Sequence, residues 1–93
     1  MIVGVLNIEL LIPGSNSLKT KRSIIKGIKD RLRSHFNVSV AEIDHANKWQ
    51  RASLGVSSVS NKKKHVESIL GKVLAHIYND HRVEVINSTI TFV

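Results

Sequence analysis

A four-stranded antiparallel sheet with two helices on one face, in the order βαββαβ, is the architecture this chain predicts. Three observations carry that expectation. Apolar residues alternate strictly from Ile2 to Ile12, and two later stretches, residues 17–33 and 61–79, repeat their apolar positions at helical spacing. Between and after those stretches lie segments rich in β-branched residues, 38–44, 51–60 and 83–93, with short polar connections. Two split βαβ units of this kind make the α+β ferredoxin-like fold. With 93 residues the chain suits a single domain spanning 1–93, able to bury about two-thirds of its unfolded surface.

In the first strand Ile2, Leu6, Ile8, Leu10 and Ile12 share one face, and Val3, Val5, Asn7, Glu9 and Leu11 share the other. Pro13-Gly14 ends it, and Ser17 is the expected N-cap of the first helix. Leu18, Ile25, Ile28 and Leu32 fill an arc of about 120° that should face the sheet. The second and third strands, VSVAEID and RASLGVSSVS, read as a hairpin closed by His45 to Gln50. Apolar phase slips by one residue between Val56 and Val59, which fits either a bulge or a strand apolar on both faces. Asn61 is the expected N-cap of the second helix, whose Val66, Ile69, Leu70, Val73 and Ile77 repeat helically. Val3, Val5 and Leu11, with whichever of Val83/Val85 or Ile86/Ile90/Phe92 stays outside the core, should leave the uncovered sheet face apolar. Such a face suggests a homodimer.

Composition excludes several classes. Without cysteine there is no disulfide framework, no thiolate metal site and no cysteine nucleophile, and a reducing cytoplasm is the expected location. The apolar N-terminus lacks a basic leader and alternates like a strand, so neither a signal peptide nor a membrane span is expected.

Charge is unevenly spread. Residues 17–33 hold seven of the 14 Lys and Arg residues and one acid, Asp30, and so carry +6 of the chain's formal +7. Lys19, Arg22, Lys26, Lys29 and Arg33 fall within an arc of about 80°. This stripe is either a phosphate-binding surface or a solvated helix face. Lys48 and Arg51 at the hairpin loop, and Lys62, Lys63 and Lys64 at the start of the second helix, are the remaining anion-contact candidates. The triplet works against its own helix dipole and is either a solvated run or a hint of an anionic partner. Lys21 points into the apolar arc near the helix mouth and must snorkel past its neighbours or meet a carboxylate, because an unpaired buried ammonium is costly; Glu42 or Asp44 paired with Lys21 or Arg22 is the expected structural role. Trp49, the lone tryptophan, can stack on a base, insert into a partner or fold back on the sheet edge; the cost of an exposed indole favours the last.

Catalytic constellations are missing. No aromatic residue lies on the two strands an RRM-type sheet would use for stacking. PGSNSLKTKR lacks the second glycine of a P-loop. Glu9, Glu42, Asp44 and Glu84 sit on separate strands, and the His76, Asp80 and His81 group is better explained by the end of a helix than by a metal. No catalytic residue, cofactor or metal is expected.

At Ser17 to Arg22 (SLKTKR), Phe36 to Asp44 (FNVSVAEID) and Trp49-Gln50-Arg51-Ala52 the chain resembles the YlxP-like family of small bacterial proteins, a domain of unknown function (DUF503). The resemblance implies a ferredoxin-like fold, a cytoplasmic protein and a translation-linked role, since such genes neighbour translation and ribosome-maturation genes. It supplies no catalytic residues. The function expected is non-enzymatic contact with structured RNA or a ribosomal particle through the stripe, without a membrane. The alternative is a homo-oligomeric or small-ligand-binding module that uses the free sheet face and no nucleic acid.

Overall fold

The computed structural model describes residues 1–93. Its elements are β1 (Ile2–Leu11), α1 (Leu18–His35), β2 (Ser39–Asp44), β3 (Arg51–Ser60), α2 (Lys63–Tyr78) and β4 (Glu84–Phe92). The strands form one antiparallel sheet in the order β2-β3-β1-β4. This is the expected βαββαβ arrangement, with β1 and β3 central.

The core follows from periodicity. Leu6, Ile8, Leu10 and Ile12 from β1 and the loop after it meet Ala52, Leu54 and Val56 of β3 beneath Ile25, Ile28 and Leu32 of α1 and Val66, Leu70, Val73 and Ile77 of α2. Gly4 is required where α2 crosses β1, since a Cβ there would collide with Val66 Cγ1. A branched valine has no flexible end with which to yield.

α1 starts as its sequence demands. Ser17 is extended, and its Oγ accepts a hydrogen bond from the Thr20 N–H at 3.1 Å. α2 starts one residue later than expected. Its N-cap is Lys62, which makes no side-chain cap, while Asn61 Oδ1 accepts instead from Ser60 Oγ.

The strands correct the sequence reading in three places. β1 and β3 pair without interruption from Ile2↔Ser60 to Leu11↔Arg51, so Val59 marks no bulge and simply faces the other way from Val56. The irregularities lie at the sheet's edges, between Glu9 and Leu10 against β4 and between Glu42 and Asp44 on β2. The first of these places both Val85 and Ile90 opposite core residues, Leu10 and Leu6, and Phe92 opposite Gly4. Cross-strand partners share a face, so the free side of β4 carries Glu84, Asn87, Thr89 and Thr91. The free sheet face is therefore less apolar than expected, its apolar residues at paired positions being Val3, Val5, Leu11, Ala41 and Val59, with Ile43 against Gly55.

Candidate nucleic-acid interface

Helical spacing gathers the stripe as a physical surface. Arg22, Lys26, Lys29 and Arg33 line one open groove of about 360 Å³ between α1 and edge strand β2, together with Ile25, Asp30 and Glu42. Lys19 continues the stripe one turn earlier and is exposed. Two acids temper the field. Asp30 accepts a 2.7 Å bond from Lys26 and lies 3.7 Å from Arg33. That lysine bond, with the nearby charges of Lys26, Arg33 and Lys29, holds the Asp30 carboxyl below its ordinary range. Arg33 also donates to the Val40 carbonyl at 2.8 Å, which fixes the groove's far end to β2.

Glu42, the second acid, is occupied from the other side. Lys21 is 0% exposed, and its Nζ donates to Glu42 Oε2 at 2.6 Å, the His45 carbonyl at 2.7 Å and the Ala46 carbonyl at 3.5 Å. The lysine is thus wholly enclosed instead of resting at the helix mouth. Asp44 does not join it: its carboxylate is mostly exposed and accepts from the His45 N–H at 2.7 Å. The bulge at Ile43 explains the split, since it places Glu42 opposite core residue Leu54 and Asp44 opposite Ser53 on the free face.

The other candidate cations are dispersed. Lys48 is exposed in the hairpin loop, beside the start of α1. Arg51 turns onto the free sheet face, 3.5 Å from Glu9. Lys62, Lys63 and Lys64 lie past the opposite end of β3, about 30 Å away along a ten-residue strand. There Lys63 Nζ sits 4.7 Å from the centroid of Phe92. The triplet lines no part of the groove. Trp49 lies outside the core cluster and is 54% exposed in the hairpin loop.

Two groupings escaped sequence reasoning. Glu9 accepts from Ser53 Oγ at 2.5 Å and lies 3.4 Å from His45 Nε2, making with Arg51 a polar knot on the free face; only the Glu9↔Ser53 register could have signalled it. Arg31 on α1 and Arg82 both grip Asp80, beyond the end of α2, whereas the His76 ring packs against His35 and Phe36. α2 ends at Tyr78, so His76 lies in its last turn and Asp80 and His81 lie beyond it.

A family model described as "Protein of unknown function (DUF503)" matches residues 3–90. The chain belongs to this family. Among DUF503 relatives, "Uncharacterized protein YlxP" of Bacillus subtilis (strain 168) is 37% identical over 83 residues, covering 89% of this chain and 90% of the relative. A de novo designed protein with a ferredoxin fold, solved by solution NMR, superposes with a TM-score of 0.54 at 11% identity, over 100% of this chain and 84% of its own. That likeness concerns the fold alone.

Proposed function

We propose that this DUF503 protein is a non-enzymatic, cytoplasmic binding protein whose α1 groove holds the phosphates of structured RNA or of a ribosomal particle. The observation that supports it is the convergence of Arg22, Lys26, Lys29 and Arg33 on one open groove, with Glu42 already engaged by buried Lys21. Phosphate contacts of this kind release counterions, so affinity falls steeply with salt and depends little on base sequence. The YlxP-like resemblance adds the translation-linked setting. Lys26→Glu with Lys29→Glu is expected to weaken binding of a short RNA hairpin at least about tenfold at low salt and to flatten the salt slope by about two. Lys62→Glu with Lys64→Glu, which line no part of the groove, should leave that short ligand's affinity nearly unchanged. Equal losses in the two variants would reduce the groove to bulk charge, and no loss in the first would remove it.

A second reading is favoured by Ile43 and Val59, 55% and 52% exposed on the free sheet face. It is self-association through that face without nucleic acid. Light scattering should then give a dimer that Ile43→Asp with Val59→Asp converts to monomer; a monomeric wild-type protein excludes it.

A further inference from the structure

Trp49 is exposed, yet the loop that carries it is tied from several directions. Below the loop, the enclosed Lys21 ammonium bonds the carbonyls of His45 and Ala46. Within it, the Lys48 N–H donates to the His45 carbonyl at 3.0 Å. Beside it, Gln50 Nε2 donates to the carbonyls of Ser15 at 3.1 Å and Pro13 at 3.4 Å, and its own carbonyl accepts from the Ile12 N–H at 2.8 Å. The chain reverses at His45, the one non-glycine residue with positive φ, at 65°. Left-handed backbone at a non-glycine residue persists where surrounding contacts impose it.

A buried lysine–carboxylate pair is weak evidence of added stability, because desolvation offsets its attraction; its better-attested use is to specify one arrangement. Here the arrangement specified is the position of the loop beside the first turn of α1, which bears Lys19 and Arg22. An exposed indole next to Lys48 in sequence, on a loop tied to the helix that carries the cationic stripe, offers the two parts of single-strand recognition, a stacking platform and a backbone-neutralising track.

We propose that Trp49 stacks on an unpaired base of the RNA whose phosphates lie along the α1 groove. The inference rests on the groove reading and narrows its partner to RNA with a bulged or looped-out nucleotide. β1 and β3 carry no aromatic side chain, so the central strands offer no stacking platform, and of the exposed aromatics Trp49 is the one on the loop tied to α1.

The protein's single tryptophan makes the test direct. Two end-labelled RNA hairpins, identical except for one bulged nucleotide near the loop-proximal end of the stem, would be titrated, with label anisotropy reporting binding and Trp49 emission reporting stacking. The bulged hairpin should bind more tightly and quench the emission. Trp49→Ala should erase the preference with a loss of about tenfold, while Trp49→Phe retains most of it. Circular dichroism of both variants should match the wild type, since the side chain supports no core contact. Binding that depends on Lys26 and Lys29 but leaves Trp49 emission unchanged at saturation, or that ignores Trp49→Ala, overturns the stacking inference and keeps the groove; Trp49 would then serve a protein contact. Failure of either RNA to bind at low salt overturns both.

Discussion

Lys21→Met is expected to lower unfolding stability by about 3–5 kcal/mol. Methionine matches the lysine stem but withdraws the ammonium from a site with no exposure, where it donates to Glu42 and to two loop carbonyls. The carboxylate left behind is 19% exposed, so water relieves only part of its cost. A urea titration at neutral pH reads the loss as a lowered midpoint. Lys21→Met with Glu42→Leu should recover much of it, because removing both charges deletes the uncompensated one. Recovery should stop short of wild type, since the His45 and Ala46 carbonyls still lack their donor. Amide exchange within residues 45–50 should accelerate in both variants, for the loop has lost its tie to α1. A single-variant cost below about 1 kcal/mol would show that the ammonium bonds are not made in solution.

The residues that were legible in the sequence and those that were not differ in one physical respect. α1, α2 and β1 announced themselves because each keeps one unbroken period against a single core face. Ser17 was legible as a cap because capping chemistry is local. What sequence parity could not carry was the phase of the edge strands. Residues two apart share a face only while pairing is regular, and the extra residue at Ile86 returns Ile90 to the side that holds Val85. The same device at Ile43 turns Asp44 away from Lys21 and leaves Glu42 as its partner. The depth of Lys21 was illegible for a related reason. Enclosure depends on loop 45–50 closing over the ammonium, and that closure rests on backbone carbonyls, which every sequence possesses. The stripe was visible as an arc of charge, but its groove exists only because β2 is the edge strand beside α1, a consequence of strand order.

Asp80→Asn is expected to cost about 2 kcal/mol at neutral pH and almost nothing near pH 2. The Asp80 side chain is 11% exposed and accepts from Arg82 Nε at 3.0 Å, Arg82 Nη2 at 2.7 Å, the Arg82 backbone N–H at 3.0 Å and Arg31 Nη2 at 2.8 Å. It thereby joins α1 to the turn between α2 and β4. The Arg82 side-chain bonds, helped by that residue's backbone N–H and by the charges of both arginines, outweigh burial and lower the Asp80 carboxyl from 3.8 to about 2. At about 1.4 kcal/mol per pKa unit the shift corresponds to about 2.5 kcal/mol, trimmed because both guanidinium groups remain partly in water. The folded state holds the ionised carboxylate more strongly than the unfolded chain does. Its contribution is therefore complete above the unfolded value of 3.8 and disappears as pH falls through about 2. Urea or thermal unfolding of the wild type and Asp80→Asn should show a gap that is constant from about pH 7 to about pH 5, narrows below that, and closes near pH 2. Comparing the two proteins removes the contribution of Asp30, whose lowered carboxyl is common to both. A gap that persists undiminished at the acid end would overturn this account, since a protonated carboxyl and an amide present similar outlines and only the carboxylate attracts two arginines.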